Sequence, residues 1–278
     1  MLNALTVDVE DYFQVTAFEK YVNRDSWDAC SLRVVHNTMK ILDMLDAADV
    51  KATFFVLGWV AERCKALVLE IRQRGHEVAC HGYGHELVYR IGPDRFRQDI
   101  RKARSILEEI TSEKVQGYRA PSCSITKDSL WAFDILIEEG FTYDSSIFPV
   151  LHDIYGIPKA KRFPHEVTTG NGTIREFPLS TIEIAGYRFP VAGGGYLRLY
   201  PLWLTQKAIS HINNSERQPA IVYFHPWEID PDQPRIKAGL KSRFRHYLNL
   251  DKNEVKIREL LSSIEVAPMR QILRIPMQ

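Results

Sequence analysis

Asp8, Glu10 and Asp11 end a hydrophobic run near the start of the chain, and much later His81 and His85 bracket Gly82-Tyr83-Gly84. A carboxylate with two imidazoles is a common ligand set for a catalytic divalent metal that keeps one position open for water. If the run is a strand, side-chain alternation puts Asp8 and Glu10 on one face and turns Asp11 away. One acid of that pair could ligate the metal while the other takes a proton from water. Acids after a strand also cap or solvate loops, and the triplet alone reads equally well that way. The histidines are the stronger signal. One His is usually a satisfied structural residue, but two at i and i+4 beside flexible glycines can converge on one ion.

Two further residues turn binding into chemistry. Arg119 stands just before Pro121, which restrains the backbone, so its guanidinium could clamp a catalytic carboxylate; taken alone, a surface ion pair explains it better. His225 ends the apolar run 220–224, where a barrel presents functional side chains, and suits a general acid. By itself a strand-end His is more often structural.

Holding these groups requires strands that open on one side. Leu2 to Val9 reads as an interior strand, with the aromatic segment 11–29 as a loop walling a cleft. Ser31 caps a helix to about Asp46, on the spacing of Leu32, Val35, Met39, Leu42 and Leu45. Strand 52–56 and helix 59–74, closed by Gly75, precede strand 77–80, which delivers His81; His76 should face out. Pro93 begins a helix striped by Phe96, Ile100, Ala103, Leu107 and Ile110, and a short strand 115–118 leads to Arg119. Thr126 caps a helix to Glu139. Connections of this length favour parallel strands with right-handed crossovers. Segment 145–195 is less regular, with β segments at 174–178 and 181–189, and Gly193-Gly194-Gly195 marks a tight turn or close backbone approach rather than a linker. A helix 201–211, the strand 220–224 and a charged helical tail beyond Asp230, clearest at 254–264, complete the chain.

With 36 basic against 35 acidic side chains, no overall charge favours nucleic acid as partner. No charge-free apolar run approaches the roughly 18 residues of a membrane-spanning helix, and the first residues do not form a signal peptide, which implies work in the cytoplasm. Cys30, Cys64, Cys80 and Cys123 stand singly, as reduced and mostly buried thiols do, with Cys80 and Cys123 near enough to motifs to line a pocket.

Taken in order, Asp-Val-Glu-Asp-Tyr-Phe, His-x-x-x-His, Tyr-Arg-Ala-Pro-Ser, the stretch Tyr143 to Pro149, Gly-Gly-Gly-Tyr and Phe-His-Pro-Trp-Glu resemble carbohydrate esterase family 4. These are the polysaccharide deacetylases with a NodB-homology domain, and the motifs look like those of the exosortase-associated exopolysaccharide deacetylases. The resemblance spans about residues 1–230 and implies an α/β fold, a distorted (β/α)7 barrel, with residues 231–278 as a C-terminal helical extension packed on it. It implies Asp8 as catalytic base, His81 and His85 as metal ligands, Arg119 as the residue orienting the base, and His225 as general acid. Valine at position 9 breaks the family's adjacent aspartates, so the metal carboxylate is Glu10 or Asp11, with alternation favouring Glu10. Gly82 replaces the Ser or Thr that often follows the first histidine.

The implied activity is metal-dependent removal of acetyl groups from N-acetylhexosamine units of a polysaccharide or its lipid-linked precursor. Zinc is the foremost metal, and cobalt, nickel or iron suit the same ligands. A lipid-linked substrate would place the work at the cytoplasmic membrane face. Substrate contacts would come from Tyr83, Pro121, Ser122 and Trp227, with Tyr12, Phe13 and Tyr196 as further stacking walls or as core, and a backbone N–H near Pro121 to Cys123 would hold the oxyanion. Three other readings remain: an allantoinase-like amidohydrolase of the same fold, an inactive glycan-binding protein, and a structural metalloprotein. The oligomeric state has no signature in the sequence.

Overall fold

The computed structural model describes residues 1–152, 155–191 and 193–276. Seven parallel strands form its centre: β1 (Asn3–Val9), β2 (Thr53–Val56), β3 (Glu77–Cys80), β4 (Gly117–Tyr118), β5 (Tyr143–Asp144), β7 (Gly172–Glu176) and β10 (Ile221–Phe224). Their order is β10-β1-β2-β3-β4-β5-β7, and β6 (His165–Thr169) adds an antiparallel edge to β7. Helices α1 (Val34–Ala47), α2 (Gly58–Arg63), α3 (Lys65–Gln73), α4 (Val88–Thr111), α5 (Ala132–Glu138) and α7 (Leu202–Asn214) make the crossovers. This is the α/β architecture expected from the sequence. Among the described residues no strand ladder joins β7 to β10, and a side chain spans the gap instead: Ser180 Oγ accepts the Ile221 N–H at 2.7 Å.

Alternation along the strands sorts the core into two regions. Leu5, Val7, Val9, Phe54 and Val56 face the helices, packing with Ile41, Leu45 and Ile71. Ala4, Phe55, Ala79, Tyr143 and Ile221 belong to the second cluster, together with Met269 and Leu273 of the C-terminal segment. That segment follows α8 (Leu240–Tyr247) and α9 (Leu250–Leu261) and was expected to be helical, but it also contributes β11 (Val266–Ala267), parallel to the start of β1. After it, α10 (Met269–Ile272) is fixed by its backbone: Met269 N–H donates to Thr53 Oγ1 and Arg270 N–H to Glu77 Oε2. One end of the strand ring is thus plugged, and the polar residues at the carboxyl ends of the strands open on the other.

Several local expectations change. The first helix begins at Val34, and Asp11 rather than Ser31 caps it, its Oδ2 accepting the N–H groups of Arg33 and Val34. The helix foreseen over 59–74 breaks into α2 and α3 at Cys64 (φ −125°, ψ 49°). His76 is buried rather than outward, because its Nδ1 accepts the Ala52 N–H at 3.1 Å. The close approach at the triple glycine is real: Gly193 lies flat on the Tyr223 ring, where any Cβ would collide. A hairpin of β8 (Thr181–Ile184) and β9 (Tyr187–Pro190) and the short α6 (Gly194–Leu199) flank it.

Candidate active site

Asp8 and Glu10 leave β1 on the same side, as alternation requires, and both are almost fully buried. The backbone tightens there, with the Glu10 N–H donating to the Asp8 carbonyl. His81 follows β3 directly, its N–H extending the ladder to Val56. The turn 82–84 is pinned by Asp99 of α4, whose carboxylate accepts the Tyr83 and Gly84 N–H groups at 2.8 and 3.2 Å. Gly82 has φ +73°, and a Cβ there would sit 2.7 Å from Asp99 Oδ2, so only glycine fits. That explains the missing hydroxyl after the first histidine. Asp99 gave no sign in the sequence, being one of many charges on an amphipathic helix.

One donor atom each from Glu10, His81 and His85 lies within 4.8 Å of the others, and all three residues are buried. His81 Nδ1 contacts the Arg119 carbonyl at 2.7 Å, which leaves Nε2 for the cluster. Burial pushes the His81 imidazole down to about 4, keeping it neutral as a ligand must be. Glu10 Oε1 accepts the Trp227 indole N–H at 3.1 Å. Its Oε2 is 2.7 Å from His85 Nε2 yet has no aligned hydrogen bond. Burial raises the Glu10 carboxyl, but the imidazoles of His85 and His225 override it and hold the group well below the usual range. A buried, ionised oxygen without an aligned donor, beside two imidazole nitrogens, is what a cation site requires. The donor set fits a divalent metal.

Asp11 does not join this cluster. Its carboxylate accepts N–H groups from Tyr12, Arg33 and Val34, so it is an intramolecular cap, with burial raising it to about 6.

Asp8 Oδ1 accepts from Arg119 Nη1 at 2.7 Å, and the same nitrogen reaches Thr6 Oγ1. Ser145 takes Nε and Nη2 through its carbonyl and hydroxyl oxygens, and the guanidinium lies 4.2 Å from the Phe55 ring centre. So many fixed acceptors around the guanidinium make this buried pair tolerable and hold Asp8 in one orientation. Its free oxygen, Oδ2, is 3.9 Å from His225 Nε2, which also lies 3.7 Å from Glu10 Oε1. Glu228 Oε2 stands 3.3 Å from His225 Nδ1. Desolvation alone would lower this imidazole, but Glu10 and Glu228 raise it to about 9. Glu228 is in turn held down to about 2, against its own burial, by Arg198 and His225.

Asp8, Glu10, His81, His85, His225 and Glu228 floor a cleft of about 490 Å³. Its walls include Ser122, Cys123 and Trp227, and also Phe148, Tyr155, Tyr196 and Tyr223. Tyr83 and Pro121, expected at the substrate, do not line it. The Tyr83 hydroxyl donates to Glu62, and its ring carries Lys102 Nζ at 3.5 Å. Tyr12 and Phe13 belong to the core. Cys80 is buried beneath the turn, with only Cys123 reaching the cleft. Glu228, Arg198, His246 and Tyr155 were missed, since no motif marks them and those on α6 and α8 show only as single polar residues of short helices.

Residues 25–136 match the polysaccharide deacetylase family, and residues 145–274 match a domain of unknown function, DUF3473. Over residues 25–136, then, the chain is similar to the polysaccharide deacetylases. The first match contains His81, His85 and Arg119, and the second contains His225 and Trp227, so the cleft unites both. A peptidoglycan-N-acetylglucosamine deacetylase of Bacillus cereus is 36% identical over 96 residues, 34% of this chain and 35% of that one. A peptidoglycan deacetylase-like protein of Gibberella zeae is 32% identical over 113 residues, covering 41% and 32% respectively. The chain thus spans about a third of the length of these curated relatives. In fold it resembles a Mycobacterium smegmatis protein assigned to the polysaccharide deacetylases, with TM-score 0.64, 21% identity and coverage of 98% and 88%. A family 4 carbohydrate esterase of Streptomyces lividans, solved with acetate, gives TM-score 0.50 and 13% identity, covering 96% and 91%.

Proposed function

We propose that the protein is a metal-dependent de-N-acetylase acting on N-acetylhexosamine units of a glycan or its lipid-linked precursor. The observation that carries this reading is the meeting of Asp8, Glu10, His81, His85 and His225 at the floor of one cleft, with Arg119 paired to Asp8 behind it. Glu10, His81 and His85 would hold the cation, foremost zinc. When bound, it supplies Lewis acidity to the acyl oxygen and lowers the pKa of water.

The chain's own groups divide the proton traffic. Asp8, clamped by Arg119 through Oδ1, takes a proton from the attacking water at Oδ2. His225, whose imidazole Glu10 and Glu228 raise above its ordinary value, stands across from it and delivers a proton from Nε2 to the departing amine. Without that proton C–N cleavage leaves a poor leaving group. Aromatic walls at Trp227, Tyr155 and Tyr196 offer stacking faces for sugar rings, and Ser122 a hydroxyl. With a complete acid–base pair in place, hydrolysis is favoured over a purely binding or structural role.

Acetate release from a panel of N-acetylhexosamine oligomers tests the proposal directly. Release should depend on metal, stop with a chelator and return on adding zinc. His81→Ala should lose the metal, whereas Asp8→Asn should keep it and lose roughly 10²- to 10⁴-fold in rate. Full activity in Asp8→Asn, or full metal occupancy in His81→Ala, would sink the assignment.

A further inference from the structure

Between Asp232 and Asp251 the chain has five lysines and arginines and no acid, although its overall charge is nearly balanced. All five, Arg235, Lys237, Lys241, Arg243 and Arg245, are exposed. The last three lie on α8, whose inner side buries His246 against Trp227 and Phe18. Its outer side is unusual for a surface helix. Leu240 and Phe244, four residues apart on one face, are 82% and 62% exposed. Helical geometry flanks them with Arg243 on one side and Lys241 and Arg245 on the other. Lys241, Phe244 and Arg245 also line the mouth of the cleft, beside the exposed Leu199. Leu151, 88% exposed, precedes the cleft-lining His152.

An apolar strip facing solvent and edged by cations is the pattern of a helix that lies in a lipid interface. We propose that α8 and the adjoining rim dock on the surface of an anionic bilayer, bringing the cleft mouth to the headgroup level. The positive charge selects anionic lipid, and Leu240 and Phe244 enter the acyl boundary. A polyanionic glycan would use the cations but leave the two apolar side chains unexplained.

Vesicle co-sedimentation without any glycan tests this independently of the deacetylase reading. The full chain should bind vesicles of equal parts phosphatidylglycerol and phosphatidylcholine, and bind pure phosphatidylcholine at least about tenfold more weakly. The doubly substituted Leu240→Ser, Phe244→Ser protein and, separately, Arg243→Glu should each lose about tenfold in partitioning while keeping the melting temperature. Phe244→Trp should show a blue-shifted emission on adding anionic vesicles. Equal binding to neutral vesicles, unchanged binding of the double variant, no emission shift, or complete competition by a soluble anionic polysaccharide would each overturn the proposal.

Discussion

Glu10 and Asp11 are adjacent acids with opposite surroundings. Glu10 points into the cleft, positioned by the Trp227 indole, with one oxygen left facing His85. Asp11 points away and satisfies three backbone N–H groups, two of them at the start of α1. Their variants should therefore separate. Glu10→Gln is expected to weaken metal binding at least about tenfold with little change in melting temperature. Asp11→Ala should keep its metal but lose about 1–3 kcal/mol of stability, since buried donors are stranded. Metal content by elemental analysis beside denaturant unfolding distinguishes the two, and metal loss in Asp11→Ala alone would contradict the assignment.

At the scale of elements, the strand ring depends on side chains where ladders stop. Ser180 Oγ caps the Ile221 N–H between the 177–191 segment and β10, the strand that presents His225. Ser180→Ala would leave that buried N–H unpaired, at a cost of about 1–3 kcal/mol, and loosen the edge of the cleft. Chemical unfolding should show the loss, and amide exchange at Ile221 should accelerate. The turn before β3 supplies a pH-dependent element. Burial depresses the His76 imidazole to about 4, below its ordinary value of 6.5, while its Nδ1 accepts the Ala52 N–H. Its contribution to stability is therefore complete above pH 6.5 and is lost as pH falls toward 4, at up to about 1.4 kcal/mol per pH unit. His76→Asn, which keeps an acceptor without titrating, should lose less stability than the natural chain between pH 7 and pH 4.5. An equal loss would show that another group governs the slope.

Over the whole molecule, residues of the deacetylase match and of the DUF3473 match line one cleft together with Asp8 and Glu10, which precede both, and the last strand and helix plug the ring beneath it. No helix of the described residues is long and apolar enough to cross a membrane. What the sequence determined by itself was local. The acid-ended strand, the strand that delivers His81 and the apolar run before His225 each showed in residue type and period, because burial on a sheet dictates both. Only tertiary structure could choose between Glu10 and Asp11, since the choice depends on which backbone N–H groups lie beside each carboxylate. It also removed Tyr83 from the cleft and brought in Glu228, Arg198 and His246, because where a loop or short helix docks is set by packing partners distant in sequence. Asp99 makes the point in small. On α4 it is one charge among many, and contact with a turn sixteen residues earlier makes it the anchor of the turn that joins the two histidines.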